Sequence, residues 1–452
     1  MYKHEIDCFI NTHKEDMIEL LKSLVAMPSV KASAKKDMPY GENIDKILKF
    51  VRKTADNMGF ITDCFENKID IADINGKPAK LGIMCHLDVV DVNKNAWSTD
   101  PFNAVIKDNK IYGRGVLDNK GPAAAALYAA YAVKSLGIPL KSNARLYFGS
   151  DEESGSNEFR SYLKNNALPE YVFVPDACFP VGVSEKGRIV LHGKENVKSD
   201  KILSAHGGNA ENIVPETACA EIVGVGEKEI NSILDEIPDI NYETKSENGI
   251  TKITIIGKSS HSANPQWGVN AVTAMLFLIN KIEPDNRVFA ELSDRFAHGV
   301  FFGEKFGIDA GSLTLSMNMF SYENGLLKFT TDSRVSVGKN SAQLAKCIAD
   351  KLTINVTADM IEEPHVVSAD SDIVKTLQKI YKNQTQRDDE PYDMDAFTYS
   401  HLKDNAVIFG GVLYGDGSEN AHGSDECYNL DTLVTAAKMF AQAIVEICKT
   451  EE

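Results

Sequence analysis

Residues 81–88 read LGIMCHLD, an apolar run that ends in a histidine and, two positions later, an aspartate. The run has the length and composition of a buried strand. Two similar runs, ARLYFG and YVFV, follow at residues 144–149 and 171–174, and an alanine-rich helical stretch opens at Pro122. Because strands alternate with helices here, we predict a doubly wound α/β sheet.

A change in residue composition along the chain predicts two domains. Strands rich in Thr, Ile and Val, such as GITKITIIG at residues 249–257, dominate the middle of the sequence. We expect residues 1–186 and 364–452 to form one α/β domain with a mixed, mainly parallel sheet, and residues 187–363 to form an inserted α+β domain. Near the N-terminus, an Asn75-Gly76 turn predicts a hairpin between the strands of residues 60–74 and the run LGIMC.

Composition excludes several classes of function. The 452 residues include 48 Lys and Arg against 65 Asp and Glu, for a formal net charge of −17, which is unfavourable for binding nucleic acid. The longest nearly apolar stretch, Pro122 to Val133, is too short to cross a bilayer, and no signal peptide is evident. The eight cysteines have no CxxC spacing, which favours free thiols in a reducing compartment. We expect a cytoplasmic protein.

Metal-binding residue types follow the predicted strands. In a doubly wound sheet, ligands bind outside the carboxyl ends of the strands. Five segments end in such residues, and from them we predict a metal site made by His86, Asp118, Glu153, Asp176 and His422. Each segment alone has an ordinary explanation. The pair His86 and Asp88 suits a solvated loop, and Gly113-x-Gly115 suits a phosphate loop, although GxGxxG is incomplete.

Charge favours two metal ions at this site. Three carboxylates, two divalent cations and one bridging hydroxide are together neutral, whereas a single cation leaves the site negative. Histidine and carboxylate ligands suit Zn²⁺, Co²⁺ or Mn²⁺ rather than a thiolate site. A further carboxylate beside paired ions is placed to take a proton from a bound water.

Eight motifs carry a family resemblance that covers almost the whole chain. They are MCHLDVVD, WSTDPF, GRGVLDNKGP, GSDEESGS, VPDACFP, SSHSANPQWGVNA, DSRVSV and AHGSDE. In this order they resemble the co-catalytic zinc exopeptidase family of aminoacylases, carboxypeptidases and desuccinylases. Within that family, the sequence is most similar to the Xaa-dipeptidases of the PepV and Sapep type.

The resemblance implies a role for each site residue. Asp118 would bridge two ions, His86 and Asp176 would complete one, and Glu153 and His422 the other. Glu152 would be the general base, Asp88 would orient His86, and the peptide between Asp118 and Asn119 would be cis. In the inserted domain, which would act as a lid, His261 would stabilise the oxyanion, Asn212 would contact substrate, and Arg334 would hold the carboxylate of a dipeptide.

The activity implied is hydrolysis of dipeptides with a free amino end by a hydroxide on two divalent ions, with Glu152 as base. Zn²⁺ is the expected metal, with Mn²⁺ or Co²⁺ as alternatives. An N-acyl amino acid deacylase or desuccinylase with the same site, or a non-catalytic metal-stabilised binding protein, are the competing interpretations. We expect a small peptide substrate, no nucleic acid or membrane partner, and, because the lid is enlarged, a monomer as the active unit.

Two departures from the family pattern bear on this expectation. Asn119 stands where many relatives have a second aspartate, which removes one charge beside the bridging residue. The stretch MDAFTYS stands where relatives carry a glycine-rich segment, so that Asp395, Ala396 and Phe397 are expected to narrow a substrate subsite.

Overall fold

The computed structural model describes residues 2–395 and 397–449. This part of the chain divides into two units. The first unit comprises residues 2–184, 366–394 and 398–449, and the second comprises residues 185–365 together with Asp395 and Phe397. Among the described residues, no helix has the length and apolar character needed to cross a membrane.

Helices and strands follow one another along the described chain. Up to residue 185 they are α1 (Lys3–Thr12), α2 (Lys14–Val25), α3 (Glu42–Asn57), β1 (Ile61–Phe65), β2 (Ile69–Asp73), β3 (Ala79–His86), β4 (Val105–Lys107), β5 (Lys110–Tyr112), α4 (Lys120–Ser135), β6 (Asn143–Gly149), α5 (Asn157–Tyr162), β7 (Tyr171–Val174), β8 (Ala177–Cys178) and β9 (Gly182–Glu185). The next are β10 (Gly187–Asn196), β11 (Ile202–Gly207), β12 (Thr217–Val223), α6 (Glu227–Leu234), β13 (Asn241–Glu247), β14 (Ile250–Ile256), α7 (Ala271–Ile282), α8 (Arg287–Arg295), β15 (Ser316–Glu323), β16 (Leu326–Val335), α9 (Ser341–Asp350) and β17 (Asn355–Glu362). The last are β18 (His365–Val366), α10 (Asp372–Thr385), β19 (Tyr392–Met394), β20 (Ala406–Ile408), β21 (Gly411–Val412), β22 (Cys427–Asn429) and α11 (Leu430–Cys448).

The main sheet of the first unit is mixed. Seven of its strands run in the order β1-β2-β6-β3-β7-β20-β9. The central strands β6, β3, β7 and β20 pair in parallel, whereas β1 with β2, β2 with β6, and β20 with β9 are antiparallel. The predicted α/β class with a mixed sheet is therefore confirmed, and parallel pairing is confined to the centre.

Two long helices cover one face of the main sheet. The alanine-rich α4 packs against α11, and the segment from Ala123 to Ala130 is buried throughout except that Tyr128 keeps 6% of its surface exposed. Small side chains allow such close approach of helices, and α11 contributes an apolar face that includes Leu433, Phe440 and Ile444. These contacts form the larger core of the unit and hold the central strands in place.

The predicted hairpin at Asn75-Gly76 is wrong. Strand β2 pairs with β6, with Asp70 opposite Phe148, and β3 pairs with the other edge of β6, so that β6 lies between the two. The local hairpin instead joins β1 and β2. A tight-turn dipeptide marks a chain reversal but does not determine which strand fills the neighbouring place in the sheet.

The second unit is built on an antiparallel sheet. Its eight strands run in the order β13-β14-β12-β11-β15-β16-β10-β17, and its helices share a separate apolar core that includes Leu276, Ile279 and Phe289. The predicted α+β class of the inserted segment is thus confirmed. His261 lies between β14 and α7, and Arg334 lies near the end of β16.

Candidate metal centre

Three of the candidate segments end at one edge of the main sheet. His86 is the last residue of β3, Glu152 and Glu153 lie in a 3-10 turn just after β6, and Asp176 follows β7 by two residues. Because β6, β3 and β7 are parallel neighbours, their carboxyl ends meet at the same edge. Asp118 precedes α4 there, which brings a fourth segment to this edge.

The first group of side chains is formed by His86, Asp118 and Asp176. His86 Nε2 lies 2.8 Å from Asp118 Oδ1 and 3.5 Å from Asp176 Oδ2. The other ring nitrogen, Nδ1, lies 3.0 Å from the backbone oxygen of Asp88. Donation from Nδ1 to that oxygen leaves Nε2 available to a metal ion, which is the usual support for a histidine ligand.

The second group is formed by Asp118, Glu153 and His422. His422 Nε2 lies 3.0 Å from Asp118 Oδ2 and 2.9 Å from Glu153 Oε2. In each of the two groups, one potential ligand atom per residue lies within 4.8 Å of the others. Asp118 belongs to both groups and presents one carboxylate oxygen to each histidine, as a residue that bridges two cations must.

The carboxylates of the two groups lie so close together that their negative charge needs to be balanced. Burial raises the pKa of Glu153 to about 7 and also raises the pKa of Asp176. Burial lowers the pKa of His422, but the carboxylates of Glu153 and Asp118 outweigh it and bring that pKa to about 12. Carboxylates packed this closely are stable only beside cations or protons. The nitrogen and oxygen donors fit divalent metal ions, and they support divalent-metal binding.

Asp88 connects the first group to the turn that carries Glu152. Its Oδ1 accepts a hydrogen bond from the backbone N–H of Glu152 at 3.2 Å, and its Oδ2 accepts one from that of Glu153 at 3.1 Å. The same carboxylate lies 3.5 Å from His86 Nδ1. The Asp88 carboxylate therefore holds the turn, while its backbone oxygen is the nearer partner of the His86 ring.

The surroundings of Glu152 shift the pKa of its carboxyl group. Burial raises its pKa well above the ordinary value, His86 opposes that shift, and the nearby carboxylates of Asp176, Glu153 and Asp118 reinforce it. A general base works best when its pKa lies near the pH of the reaction, and a raised pKa brings a carboxylate closer to neutral pH. The role of base remains a prediction.

Sequence reasoning missed the pair Arg114 and Glu426, although both lie in the quoted motifs. The Glu426 carboxylate accepts hydrogen bonds from the backbone N–H groups of Leu117 and Asp118, and Arg114 Nη2 donates to the backbone oxygen of His422 at 3.1 Å. Both residues stand in motifs that also carry predicted ligands, but the sequence shows neither their burial nor their pairing. The predicted cis peptide between Asp118 and Asn119 is present.

The second unit contains the other predicted site residues. The backbone N–H of Ser262, next to His261, donates to the backbone oxygen of Asn212 at 3.0 Å, so these two segments run side by side. Arg334 Nε lies 3.2 Å from Asp332 Oδ1, and Arg188 Nε lies 2.7 Å from Asp332 Oδ2. The structure therefore brings Asn212 and His261 into neighbouring segments, and it places Arg334 in a buried ion-pair network.

Asp395 also belongs to the second unit, where its Oδ1 lies 2.7 Å from Lys186 Nζ. Ala396 lies outside the described residues. A third group of potential ligand atoms, from His192, Glu211 and Asp359, occurs in this unit, but its two carboxylates are exposed. Less exposed carboxylates and a shared aspartate distinguish the two groups around Asp118 from this one.

Two trios of potential metal ligands that share one aspartate at the edge of an α/β sheet are the arrangement of a metal-dependent hydrolase. A model of peptidase family M20/M25/M40 matches residues 82–446. The chain belongs to this family and is a metallopeptidase, which confirms the resemblance to co-catalytic metal exopeptidases.

Individual relatives match along nearly the whole chain. A Bacillus subtilis (strain 168) protein named "Putative dipeptidase YtjP" is 30% identical over 456 residues, which cover 96% of this chain and 98% of that protein. The structure of the di-peptidase Dug1p from Saccharomyces cerevisiae matches with a TM-score of 0.63 and 14% identity over 100% of this chain and 99% of that chain. Human carnosine dipeptidase 1 matches with a TM-score of 0.61 and 15% identity over 99% of each chain. The two structural matches show the shared fold.

Proposed function

We propose that the protein is a metal-dependent dipeptidase that hydrolyses dipeptides with a free amino end. The observation that carries the proposal is Asp118, whose two oxygens face His86 and His422 in two trios of potential metal ligands. Glu152 lies in the turn beside them, in surroundings that raise its pKa. The name of the Bacillus subtilis relative, which matches nearly the whole chain, supports the choice of dipeptides.

Each ligand and its neighbours have a role in this chemistry. Two divalent ions, Zn²⁺ or alternatively Mn²⁺ or Co²⁺, would polarise the scissile carbonyl when bound and would lower the pKa of a water toward about 7. His86 and Asp176 would hold one ion, Glu153 and His422 would hold the other, and Asp118 would hold both. Glu152 takes the proton of the attacking water and passes it to the leaving nitrogen.

Three residues of the second unit act on the substrate in this proposal. His261 donates to the oxygen on which negative charge develops, and Asn212 contacts the substrate. Arg334 binds the carboxylate of the dipeptide, because a planar guanidinium grips a carboxylate through two parallel hydrogen bonds. Asp332, at 3.2 Å from Arg334 Nε, fixes the guanidinium in position.

A panel of substrates tests the reaction. The metal-loaded protein is incubated with dipeptides, their N-acetyl derivatives, and N-acetyl and N-succinyl amino acids, and the released amino acids are quantified. We expect rapid hydrolysis of the free dipeptides only. Preference for the N-acyl amino acids would identify a deacylase or desuccinylase instead, and no turnover with both metals bound would identify a non-catalytic binding protein.

Glu152→Gln tests the base. We expect the rate of dipeptide hydrolysis to fall roughly 10²- to 10⁴-fold, because proton transfer is lost while the ligands remain. Metal analysis of the same preparation should still find two ions per chain. Glu170→Gln, at an exposed glutamate of the same unit, is the control and should leave the rate unchanged. Near-normal turnover by Glu152→Gln would show that another group is the base.

The active unit and its location complete the proposal. We take the active unit to be a monomer and its location to be the cytoplasm. Light scattering after size-exclusion chromatography under assay conditions checks the oligomeric state, and an active species with twice the mass of the chain would contradict it.

A further inference from the structure

The candidate ligands of the two metal positions differ in how they are supported. His86 ends β3 and Asp176 closely follows β7, so the ligands unique to the first position are held by the sheet. His422 lies in the long loop between β21 and β22, and its backbone has a φ of 63°. This left-handed conformation is uncommon for residues other than glycine, although histidine adopts it more often than most, and His422 belongs to neither a helix nor a strand.

Glu426 supports the loop that carries Asp118. Its Oε1 accepts hydrogen bonds from the backbone N–H of Leu117 at 2.8 Å and of Asp118 at 3.2 Å. Its Oε2 accepts from the backbone N–H of Gly115 at 2.9 Å and from Arg114 Nη1 at 2.7 Å. The carboxylate is 0% exposed, so these four donors replace its hydration and fix the backbone that precedes α4.

Arg114 extends this support to the loop of His422. Its Nη2 donates to the backbone oxygen of His422 at 3.1 Å and to that of Gly423 at 3.0 Å. The guanidinium carbon lies 5.3 Å from the centre of the Trp97 ring, and the side chain is 2% exposed. One rigid, planar group thus joins the loop that carries Asp118 to the backbone of His422, in the loop between β21 and β22 to which Glu426 also belongs.

We propose that Arg114 and Glu426 are positioning residues that set the distance between Asp118 and His422, and that the metal position of Glu153 and His422 depends on them. The proposal rests on the two-metal centre of the proposed function. The position of His86 and Asp176 depends on them less, because strand ends supply those two ligands. Loss of the pair should therefore weaken one metal position selectively rather than both.

Arg114→Lys tests this selectivity. Lysine keeps the positive charge beside Glu426 but cannot reproduce the fork that reaches two backbone oxygens. The matched control is Arg145→Lys, since Arg145 also forms a bidentate pair on the same unit, with Nε and Nη2 at 2.9 and 2.8 Å from the Asp73 carboxylate. Zn²⁺ and Co²⁺ are titrated into each metal-free full-length protein against a chelating indicator, with no substrate present.

We expect the wild type and Arg145→Lys each to bind two ions. The variant should bind each ion with the same affinity as the wild type. Arg114→Lys should bind the first ion with nearly the wild-type affinity and the second at least about tenfold more weakly. The Co²⁺ absorption spectrum should change only for the second ion added. Glu426→Gln, which retains the acceptor for Leu117 and Asp118, provides a second variant if Arg114→Lys does not fold, and it should show the same selective loss.

Other outcomes would overturn the inference. Wild-type affinity for both ions in Arg114→Lys and Glu426→Gln would show that the pair does not position His422. An equal loss at both positions, or the same loss in Arg145→Lys, would show a general effect on folding. A wild type that binds two ions but cleaves no dipeptide contradicts the proposed function alone, and selective loss in the variants then still supports this inference.

Discussion

Asn119 donates its side-chain amide to two acceptors beside the metal centre. Its Nδ2 lies 2.8 Å from the backbone oxygen of Pro175 and 2.7 Å from Asp176 Oδ1. A second carboxylate at this place would repel Asp176, whereas an amide satisfies one of its oxygens and leaves the other, Oδ2, toward His86. The missing charge noted in the sequence thus corresponds to a hydrogen bond that orients a predicted ligand.

Asn119→Ala should weaken the metal position of His86 and Asp176. Without the amide, the Asp176 carboxylate loses a donor and can rotate, and loss of such a supporting hydrogen bond costs about 10- to 100-fold in metal affinity. Titration of the metal-free protein with Zn²⁺ measures the effect. Asn143→Ala is the control, because Asn143 Nδ2 likewise donates to a carboxylate, that of Asp73, away from the candidate ligands. Unchanged affinity for both ions would contradict this role of Asn119.

At the scale of helices and strands, the sequence predicted which residues form a strand better than it predicted which strands pair. The run LGIMC could be predicted as a strand because a short apolar run is typical of a buried strand. The candidate ligands at its end could be predicted because the carboxyl ends of parallel strands meet at one edge of the sheet. The pairing of β2 with β6 could not, because Asp70 and Phe148 are far apart in sequence and no local signal joins them. Arg114 and Glu426 escaped notice for the same reason.

Strand β2 carries a buried carboxylate with an unusual proton affinity. Asp70 is 1% exposed, and within the described residues neither of its carboxylate oxygens has a hydrogen-bond partner. Burial raises its pKa from 3.8 to about 7, although Arg52, with Nη1 3.4 Å from Oδ1, acts to lower it. The folded state therefore binds this proton more tightly than the unfolded state. The contribution of Asp70 to the free energy of unfolding falls as pH rises from about 4 to about 7.

Asp70→Asn should stabilise the protein at neutral and alkaline pH. The neutral amide avoids the desolvation of a charge, and we expect a gain of about 1 to 3 kcal/mol in the free energy of unfolding at about pH 8, and almost none near pH 4. Urea unfolding at the two pH values measures it. Asp73→Asn on the same strand should have the opposite effect at about pH 8, because Asp73 forms a bidentate pair with Arg145. Destabilisation by Asp70→Asn at that pH would contradict the prediction.

At the scale of the whole molecule, the two units have separate apolar cores. The core of the first unit is centred on α4 and α11, and that of the second includes Leu276 and Phe289. The change from alternating strands and helices to Thr-, Ile- and Val-rich strands made an insertion predictable. The individual contacts within each core could not be predicted, because they depend on how side chains distant in sequence pack together.

Removal of metal should therefore loosen the first unit alone. All five candidate ligands belong to it, and a ligand at about 100 times its Kd stabilises the folded state by about 2.7 kcal/mol. Hydrogen exchange with and without chelator, followed by mass spectrometry of peptides, measures the effect. Exchange should accelerate around Asp118, Glu153 and His422, whereas peptides from β12 and β14 of the second unit serve as internal controls and should not change. Equal acceleration in those two strands would show that metal stabilises both units together, and no change near the ligands would count against the metal centre itself.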